Sequence, residues 1–454
     1  MSSIQRHAEH GLSQREFLCT LFRLLDEHQI CYCVLHSWDG LPDRLPSDLD
    51  LGVLPGDRAK LPSVFERLQA EGYLRVQCLN YFAQAYYFIF VWFERDALKS
   101  VAVDVIFEHR RSGLISLSGE ELVAGRSRCD GFWVASPATE FVYLLAKKTW
   151  KKSVRPAQVQ RLKLLVDLLG RAQAEKLAGK VFIGKVKAEV MEACAQASLD
   201  KLLIRIHAQP WWTGLLRHPL GVVRFLWAEA WRGMRRWLQP TGFLVVVLGP
   251  DGVGKSTLVS QLAQTCECCF RRHRIFHWRP MVVAPHKEPA TPVNNPHGQS
   301  TRGTLGSIAA LLVFFLDYWL GYLFVLRPLL ARSGLVVFDR YFPDLLVDPG
   351  RYRYGGPMWL PKFLSRLVPR TDLIFLVLDA EEKAILSRKR EVVLEELRRQ
   401  RAGYRQFIEQ DGNAYLIRTD QGIGQTVGEA SRYLVDHLAR RFERRGSGCF
   451  AALR

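Results

Sequence analysis

The stretch Gly249-Pro-Asp-Gly-Val-Gly-Lys-Ser-Thr257 constrains this chain more than any other, because it fits the phosphate-loop pattern G-x-x-x-x-G-K-[ST]. It follows the apolar run 243–248 and leads into a helical pattern beginning near Ser256, which is the strand–loop–helix setting such a loop requires. Gly252 and Gly254 let backbone N–H groups close on a triphosphate, and the positive end of the helix favours the anion. Lys255 is placed to reach the outer phosphates and Ser256 to ligate Mg²⁺. Gly249, Asp251, Val253 and Thr257 complete the expected nucleotide-binding loop. A tight turn with an incidental Lys-Ser-Thr is the weaker alternative, so the segment is expected to bind a nucleoside triphosphate.

The rest of the chain is long enough for two to three domains at 454 residues. Apolar runs at 335–338 and 373–378 alternate with helical segments after the loop, which predicts an α/β domain on a mostly parallel sheet over 241–454. Residues 1–200 alternate helical and strand signals: helix at 13–28, strands at 30–35, 86–93 and 101–107, helices at 137–152 and 158–169. Between the two lies a Trp- and Arg-rich connector at 201–240. The net charge of +18 falls almost wholly in the C-terminal part, because 1–200 holds 26 basic and 24 acidic side chains. That excess suits a nucleotide, nucleic acid or an anionic membrane surface. The polar start and the unpatterned cysteines predict a cytoplasmic protein without a secretion signal. The cluster Cys266, Cys268, Cys269, His273 and His277 matches no zinc spacing. Residues 308–326 approach membrane-spanning length, but Asp317 lies in their middle and a buried core helix is expected instead. The polar loop 280–303 has a length more often functional than ornamental.

Asp339 and Arg340 follow a buried strand run, and ligand sites in open parallel sheets sit at that edge. Asp339 could serve Mg²⁺ or position the attacking oxygen, and Arg340 could neutralise transferring phosphate; a structural ion pair is the alternative. The charged helical stretch 388–401 suits either a solvated face or a closing lid. Taken with GPDGVGKST, the pair Arg279-Pro280, FDRY and the Arg-rich segment, about residues 241–440 resemble the thymidylate kinase family. The resemblance implies a P-loop kinase fold, ATP and Mg²⁺ as cofactors, and phosphoryl transfer to an acceptor. It implies that Asp251 contacts the acceptor sugar, that Arg279 and Arg340 bind the acceptor, and that lid cations come from Arg388 and Arg390, since Val253 stands where some members carry an arginine. The departures concern substrate. The Glu of the family's Arg-Glu-Pro motif is missing, the base-reading Gln near the Gly-Gly pair has no counterpart (Tyr354 precedes Gly355-Gly356), Asp344 stands where Ser is usual, and Arg351 and Arg353 add cations on the acceptor side. A kinase is expected; thymidylate specificity is not.

In the N-terminal part, Asp48 and Asp50 are two apart on an expected strand and so share a face, with Asp104 on a later strand. Three such carboxylates suit Mg²⁺. With Ser37 ahead of them they resemble the nucleotidyltransferase pattern of a Gly-Ser turn, Asp-x-Asp and a third Asp, over about residues 28–170, although His36 replaces the Gly. That resemblance implies an α+β domain; carboxylates that merely cap strand ends are the alternative. Lys147, Lys148, Lys151 and Lys152 on a following helix suit phosphates or a solvated face. In the connector, Val223, Leu226, Trp227, Ala230, Trp231, Met234, Trp237 and Leu238 form one apolar helical face, with Arg224, Arg232, Arg235 and Arg236 around the other and Phe225 as the exception. It is expected either to pack on a domain as a strut or to lie in the headgroup plane of an anionic inner membrane. The reading is a fusion of a nucleotidyltransferase-like domain and a thymidylate kinase-like phosphotransferase, with ATP and a phosphate or hydroxyl acceptor as ligands. A homodimer and a peripheral membrane contact are further partner expectations. A nucleic-acid-stimulated ATPase and a non-catalytic nucleotide sensor at the membrane stay open as alternatives.

Overall fold

The computed structural model describes residues 12–81, 84–111, 113–196, 198–199, 202, 206, 208–283, 300–370, 372–388 and 393–451. The chain divides into two compact units: Met1–Glu94, Lys99–Gly233 and Leu438–Arg454 form the first, and Arg95–Leu98 with Met234–His437 the second. The segment read from sequence as a separate connector is thus divided between them at Gly233, and the last residues group with the first unit.

In the first unit the described strands are β1 (Tyr32–Val34), β2 (Leu49–Val53), β3 (Leu74–Tyr81), β4 (Ala85–Glu94), β5 (Ala97–Ile106), β6 (His109–Arg111), β7 (Leu114–Leu117), β8 (Ser127–Cys129) and β9 (Phe132–Val134). Seven of them form one mixed sheet in the order β3-β4-β5-β2-β1-β9-β8. Alternation sorts its side chains onto two faces. Tyr32 and Val34 enter one core with Phe17, Leu21 and Phe65, while Cys33 and Leu35 enter another with Phe141, Leu144 and Leu145. The helix Gln14–Glu27 covers the first face; Ser13 caps it by accepting from the Glu16 amide at 3.2 Å. The helix Pro137–Lys151, capped by Ser136, covers the second. β2 and β5 are parallel with Asp50 opposite Asp104, so both carboxylates stand at one level of the sheet. Asp48 precedes β2 instead of sharing the strand with Asp50, contrary to the sequence expectation.

The second unit carries β10 (Phe243–Leu248), β11 (Arg272–His277), β12 (Gly334–Asp339), β13 (Leu373–Asp379) and β14 (Ala414–Arg418). All neighbours are parallel, in the order β11-β12-β10-β13-β14. Counted from the first strand of the unit this is 2-3-1-4-5, and the order reverses at β10, where an open α/β sheet places its ligand. β10, β12 and β13 are buried along their whole length. The phosphate-loop motif leaves β10 at that switch point, and Asp339 ends the neighbouring β12.

The segment expected as a buried core helix behaves differently. Helix Thr304–Gly321 continues through one π-helical turn, Tyr322–Leu326, into Arg327–Ala331. One side buries Leu311, Asp317, Tyr318, Leu326 and Leu330 on the sheet, and the other leaves Leu312, Leu316, Trp319 and Phe324 exposed. It is long and apolar enough to cross a membrane by length and composition, with 22% of its most apolar window buried. Because the helix is apolar all round, sequence periodicity could not say which side packs.

Candidate functional site

At the end of β10 the chain turns through Gly249 at φ +143°, where an added Cβ would lie 2.8 Å from the Leu378 carbonyl oxygen of β13. Only glycine fits that approach. The loop continues through Gly252 and Gly254 into the helix Lys255–Thr265. Lys255 is buried, and its Nζ donates to the carbonyls of Gly249 (2.9 Å) and Pro250 (2.8 Å), 3.6 Å from the Asp251 carboxylate. Burial, reinforced by Arg340, brings its ammonium down to about 7. Ser256 Oγ donates to Asp339 Oδ2 at 3.0 Å. Asp339 Oδ1 is buried and accepts no hydrogen bond from the described residues. Burial would raise the Asp339 carboxyl, but His277, Lys255 and Arg340 hold it below the usual carboxylate range. The Val253 carbonyl accepts from Thr419 Oγ1 at 2.8 Å, tying the loop to the end of β14, and Thr257 is exposed on the first helical turn.

Arg340, the residue after β12, takes φ +74° and donates its N–H to the Val247 carbonyl at 3.0 Å. That left-handed turn carries its guanidinium into the protein, where it bonds Asp344 at 2.7 Å and Asp251. Arg351 reaches the other Asp251 oxygen at 2.6 Å. Burial works against the Asp251 anion, yet Arg340, Lys255 and Arg351 hold its carboxyl far below the ordinary range. Asp344 is fully buried and also accepts from the hydroxyls of Tyr352 (2.6 Å) and Tyr404. Against burial, Arg340 and the two hydroxyls keep it ionised. Thus Asp251, Arg340 and Arg351, three of the residues expected on the acceptor side, are brought together. Asp344, noticed only as a departure, is the carboxylate on which the cluster rests.

The other expected residues are placed differently. Arg279 donates to Asp317 at 3.2 Å and lies over the rings of Trp278 and Phe314. Asp317 also accepts from the amides of Met281, Val282 and Val283 at 2.9, 2.6 and 2.7 Å. Trp278 stacks on Tyr352 with centroids 4.4 Å apart, so Arg279 stands behind an aromatic wall that adjoins the Asp344 cluster. Arg353 donates to the Ser300 carbonyl at 3.0 Å. Arg388 donates to the Thr419 carbonyl at 3.2 Å, and Arg390 lies outside the described residues. Sequence reading missed Arg405 and had Arg401 only as the last residue of the charged stretch 388–401; the two share Asp379 at the end of β13, Arg401 with two bonds at 2.7 and 3.1 Å and Arg405 with one at 3.1 Å. Asp379, Arg401, Tyr404 and Arg405 line one cleft with Pro250 of the phosphate loop. The signal was an acid at the end of a buried strand, followed by arginines four apart on a helix.

In the first unit, Asp50 Oδ2 meets Lys147 Nζ at 2.5 Å and His36 Nε2 at 2.6 Å, while the buried Oδ1 has no hydrogen-bond partner. Lys147 and His36 together overcome burial and hold the Asp50 carboxyl far below its usual range. Tyr87 hydrogen-bonds Asp48, and burial plus the charges of Asp48, Asp104 and Asp50 push its hydroxyl up. The three predicted carboxylates therefore share one neighbourhood, but Lys147 and His36 already occupy one Asp50 oxygen. His36, read as a missing glycine, is a bonding partner of Asp50. Lys148 is buried on the same helix, and burial with its Lys147 neighbour lowers its ammonium to about 8. Among the described residues no group of three or more His, Cys, Asp or Glu is arranged to hold a metal ion.

No protein-family model matches the chain. A thymidylate kinase of Xanthomonas euvesicatoria pv. vesicatoria is 31% identical over 147 residues, covering 31% of this chain and 58% of that protein. One from Xanthomonas oryzae pv. oryzae is 31% identical over 145 residues, 31% of this chain and 57% of that protein. About a third of the chain is thus homologous to thymidylate kinases, and the chain spans about half the length of the curated relatives it matches. Among solved structures, thymidylate kinase from Ehrlichia chaffeensis aligns with a TM-score of 0.31 at 16% identity, over 43% of this chain and 98% of that one.

Proposed function

We propose that the second unit is an ATP-dependent phosphotransferase whose acceptor carries a phosphate or hydroxyl group, a nucleotide or a sugar-type compound. The observation that carries this is the arrangement of Lys255 and the Ser256–Asp339 pair on one side of the loop and the Asp251–Arg340–Arg351 cluster on the other. Lys255 exchanges the Gly249 and Pro250 carbonyls for the outer phosphates. An acceptor oxygen attacks the γ-phosphorus in line, the bond to the β–γ bridging oxygen breaks, and ADP leaves. Asp251 orients the acceptor, while Arg340 and Arg351 offer it cationic donors. Ser256 Oγ and Asp339, with its unpartnered buried Oδ1, suit Mg²⁺, which would neutralise charge on the β- and γ-phosphates. Homology to thymidylate kinases favours a nucleoside monophosphate acceptor; the missing base-reading Gln and the added Arg351 argue against thymidylate itself. The test is ADP release with ATP and Mg²⁺ against a panel of nucleoside monophosphates, sugars and sugar phosphates. One acceptor class should stimulate release, and Lys255→Ala should abolish it by removing the cation on the phosphates. Unchanged turnover in Lys255→Ala would sink the proposal.

A second reading concerns the first unit: a nucleotide site in which Asp48, Asp50 and Asp104, which do not form a metal-holding group by themselves, would meet Mg²⁺ carried on a nucleotide's phosphates. The alignment of Asp50 with Asp104 and the unpartnered Asp50 Oδ1 support it. Nucleotide binding that persists in the full-length Lys255→Ala protein, needs Mg²⁺ and disappears in Asp104→Asn is the expected result. Absence of any such binding refutes the reading.

A further inference from the structure

The helix Pro219–Leu238 has two apolar faces, and the structure shows which of them the protein uses for itself. Val222 and Phe225 are buried, Trp211 of the preceding helix Gln209–Arg217 meets Phe225 edge-on at 5.9 Å, and Arg232 donates to the Asn80 carbonyl. At its start the helix backbone presses on Gly113: a Cβ there would lie 2.5 Å from the Val222 nitrogen. Phe225, the residue that broke the apolar stripe in the sequence, is therefore part of the anchor. At about 100° per residue the stripe itself is centred roughly 150° from that anchor. It remains outside. Leu220 and Trp227 are each 75% exposed and Val223 63%, with Leu226 and Trp231 about half exposed. Met234, Trp237 and Leu238 prolong it along the same helix, and Trp212, Leu215 and Leu216 are exposed on the helix before.

We propose that this outward face is a docking surface for an anionic lipid bilayer, with the helix lying in the headgroup plane. Three observations select the occupant. The face carries exposed Trp at 212, 227, 231 and 237, and indole rings partition to the boundary between headgroups and acyl chains. Its flanks are basic. Arg217, Arg224, Arg232, Arg235 and Arg236 accompany a single acid, Glu229, which is already paired with Arg232. Arg224 and Arg235 are exposed beside the stripe, where they can meet lipid phosphates. Finally, a second copy is a poor occupant. A two-fold contact through this stripe would bring arginine flanks against arginine flanks, with no unpaired carboxylate on the helix to separate them. The lone helix that passes the length and apolarity test for a membrane span among the described residues is Thr304–Ala331, so the arginine-ringed helix fits a surface position and not a crossing.

The experiment is co-flotation of the full-length protein with vesicles of phosphatidylcholine alone, or with roughly a third of anionic phosphatidylglycerol added. Binding should appear on the anionic vesicles, fall steeply at about 0.5 M salt, and shift Trp emission to the blue. Trp227→Ala/Trp231→Ala should weaken it at least about tenfold. Both side chains are outside the core, so the variant's circular dichroism and melting should match those of the parent. The proposal is overturned if the parent stays with the soluble fraction on anionic vesicles at low salt, or if the double variant binds equally well. It is equally overturned if the variant's main effect is to convert a stable dimer in solution to monomer, since the face would then belong to a second copy.

Discussion

Replacing Asp344 by Asn tests the electrostatic core of the second unit. The carboxylate is fully buried and accepts from Arg340, Tyr352 and Tyr404. The amide keeps one acceptor oxygen but brings no charge, and its NH₂ faces groups that are themselves donors. Arg340 is then left almost fully buried with Asp251 as its remaining carboxylate. Removing one partner from a buried ion pair costs about 3–5 kcal/mol. The retained oxygen and the isosteric shape place Asn at the low end, about 3 kcal/mol, or about 6–12 °C of melting temperature for a unit of this size. The sign of the pH dependence gives a sharper criterion. Asp344 has a native carboxyl held below its unfolded value. Its contribution is therefore complete above the unfolded pKa of about 4 and disappears as pH falls through the lower native value. Urea denaturation of parent and variant should accordingly give curves of stability against pH that differ by about 3 kcal/mol near neutrality and converge in acid. A difference below about 1 kcal/mol at pH 7 would mean that the cluster carries no net stabilisation. A difference that stays constant down to pH 2 would trace the loss to packing instead of charge.

Three further outcomes follow from the same kind of accounting. With the Lys255 ammonium brought to about 7 in the free protein, polyphosphate binding raises it again. Nucleotide binding at pH 8 should thus take up nearly one proton and weaken about tenfold per pH unit above 7; calorimetry in two buffers of different ionisation heat that shows no uptake refutes this. Asp317→Asn weakens the hold on Arg279 and on the amides of residues 281–283, so acceptor KM should rise at least about fivefold with ATP KM nearly unchanged, and equal rises would place Asp317 elsewhere in the mechanism. In the first unit, Lys147→Met leaves the buried Asp50 anion with His36 as its remaining partner and should cost about 3 kcal/mol, whereas Lys147→Met/Asp50→Leu should recover most of it; additive losses in a double-mutant cycle would show that the pair is uncoupled.

What the sequence makes legible is what lies contiguous in it. The phosphate loop is nine consecutive residues between a strand and a helix, and β10, β12 and β13 are unbroken apolar runs because both their faces are covered. The outer strands escape notice for the converse reason. β11 is Arg-His-Arg-Ile-Phe-His with Phe276 alone buried and lacks the hydrophobic signature of a central strand, whereas β14 offers only the four apolar residues 414–417, a run too short to tell a strand from a helix segment. The acceptor cluster is illegible for a third reason. Asp251, Arg340, Asp344, Tyr352 and Tyr404 come from four elements, and only the 2-3-1-4-5 sheet order brings them to one point. The same holds for His36, Asp50 and Lys147 in the first unit, where a histidine and a lysine distant in sequence converge on one carboxylate oxygen.

Charge accounting then separates the two arginine groups of the second unit. Around the phosphate loop, Lys255, Arg340 and Arg351 face Asp251, Asp339 and Asp344, at most three cations against three anions, so that this half holds no surplus of positive charge before any ligand arrives. A magnesium-bound triphosphate brings about two further negative charges, and these must be met from elsewhere or carried uncompensated in a largely buried site. The helix Leu394–Gln410 can supply part of what is missing. Among the described residues, Arg398, Arg401 and Arg405 pair with Asp379 and Glu382 beside Pro250 of the loop, and Glu395 acts on Arg398 at the outer end of the group. Arg405 is the most readily released, because it holds Asp379 by a single bond and more than half of its side chain is exposed, whereas Arg401 is held by two carboxylates. A guanidinium that leaves a shared carboxylate for a phosphate keeps its charge-assisted hydrogen bonds and leaves no anion unpaired behind it. That exchange costs far less than drawing Arg340 or Arg351 away from Asp251, so under the proposed function the cation that compensates a triphosphate would come from the far side of the loop and the Asp251 cluster would stay intact.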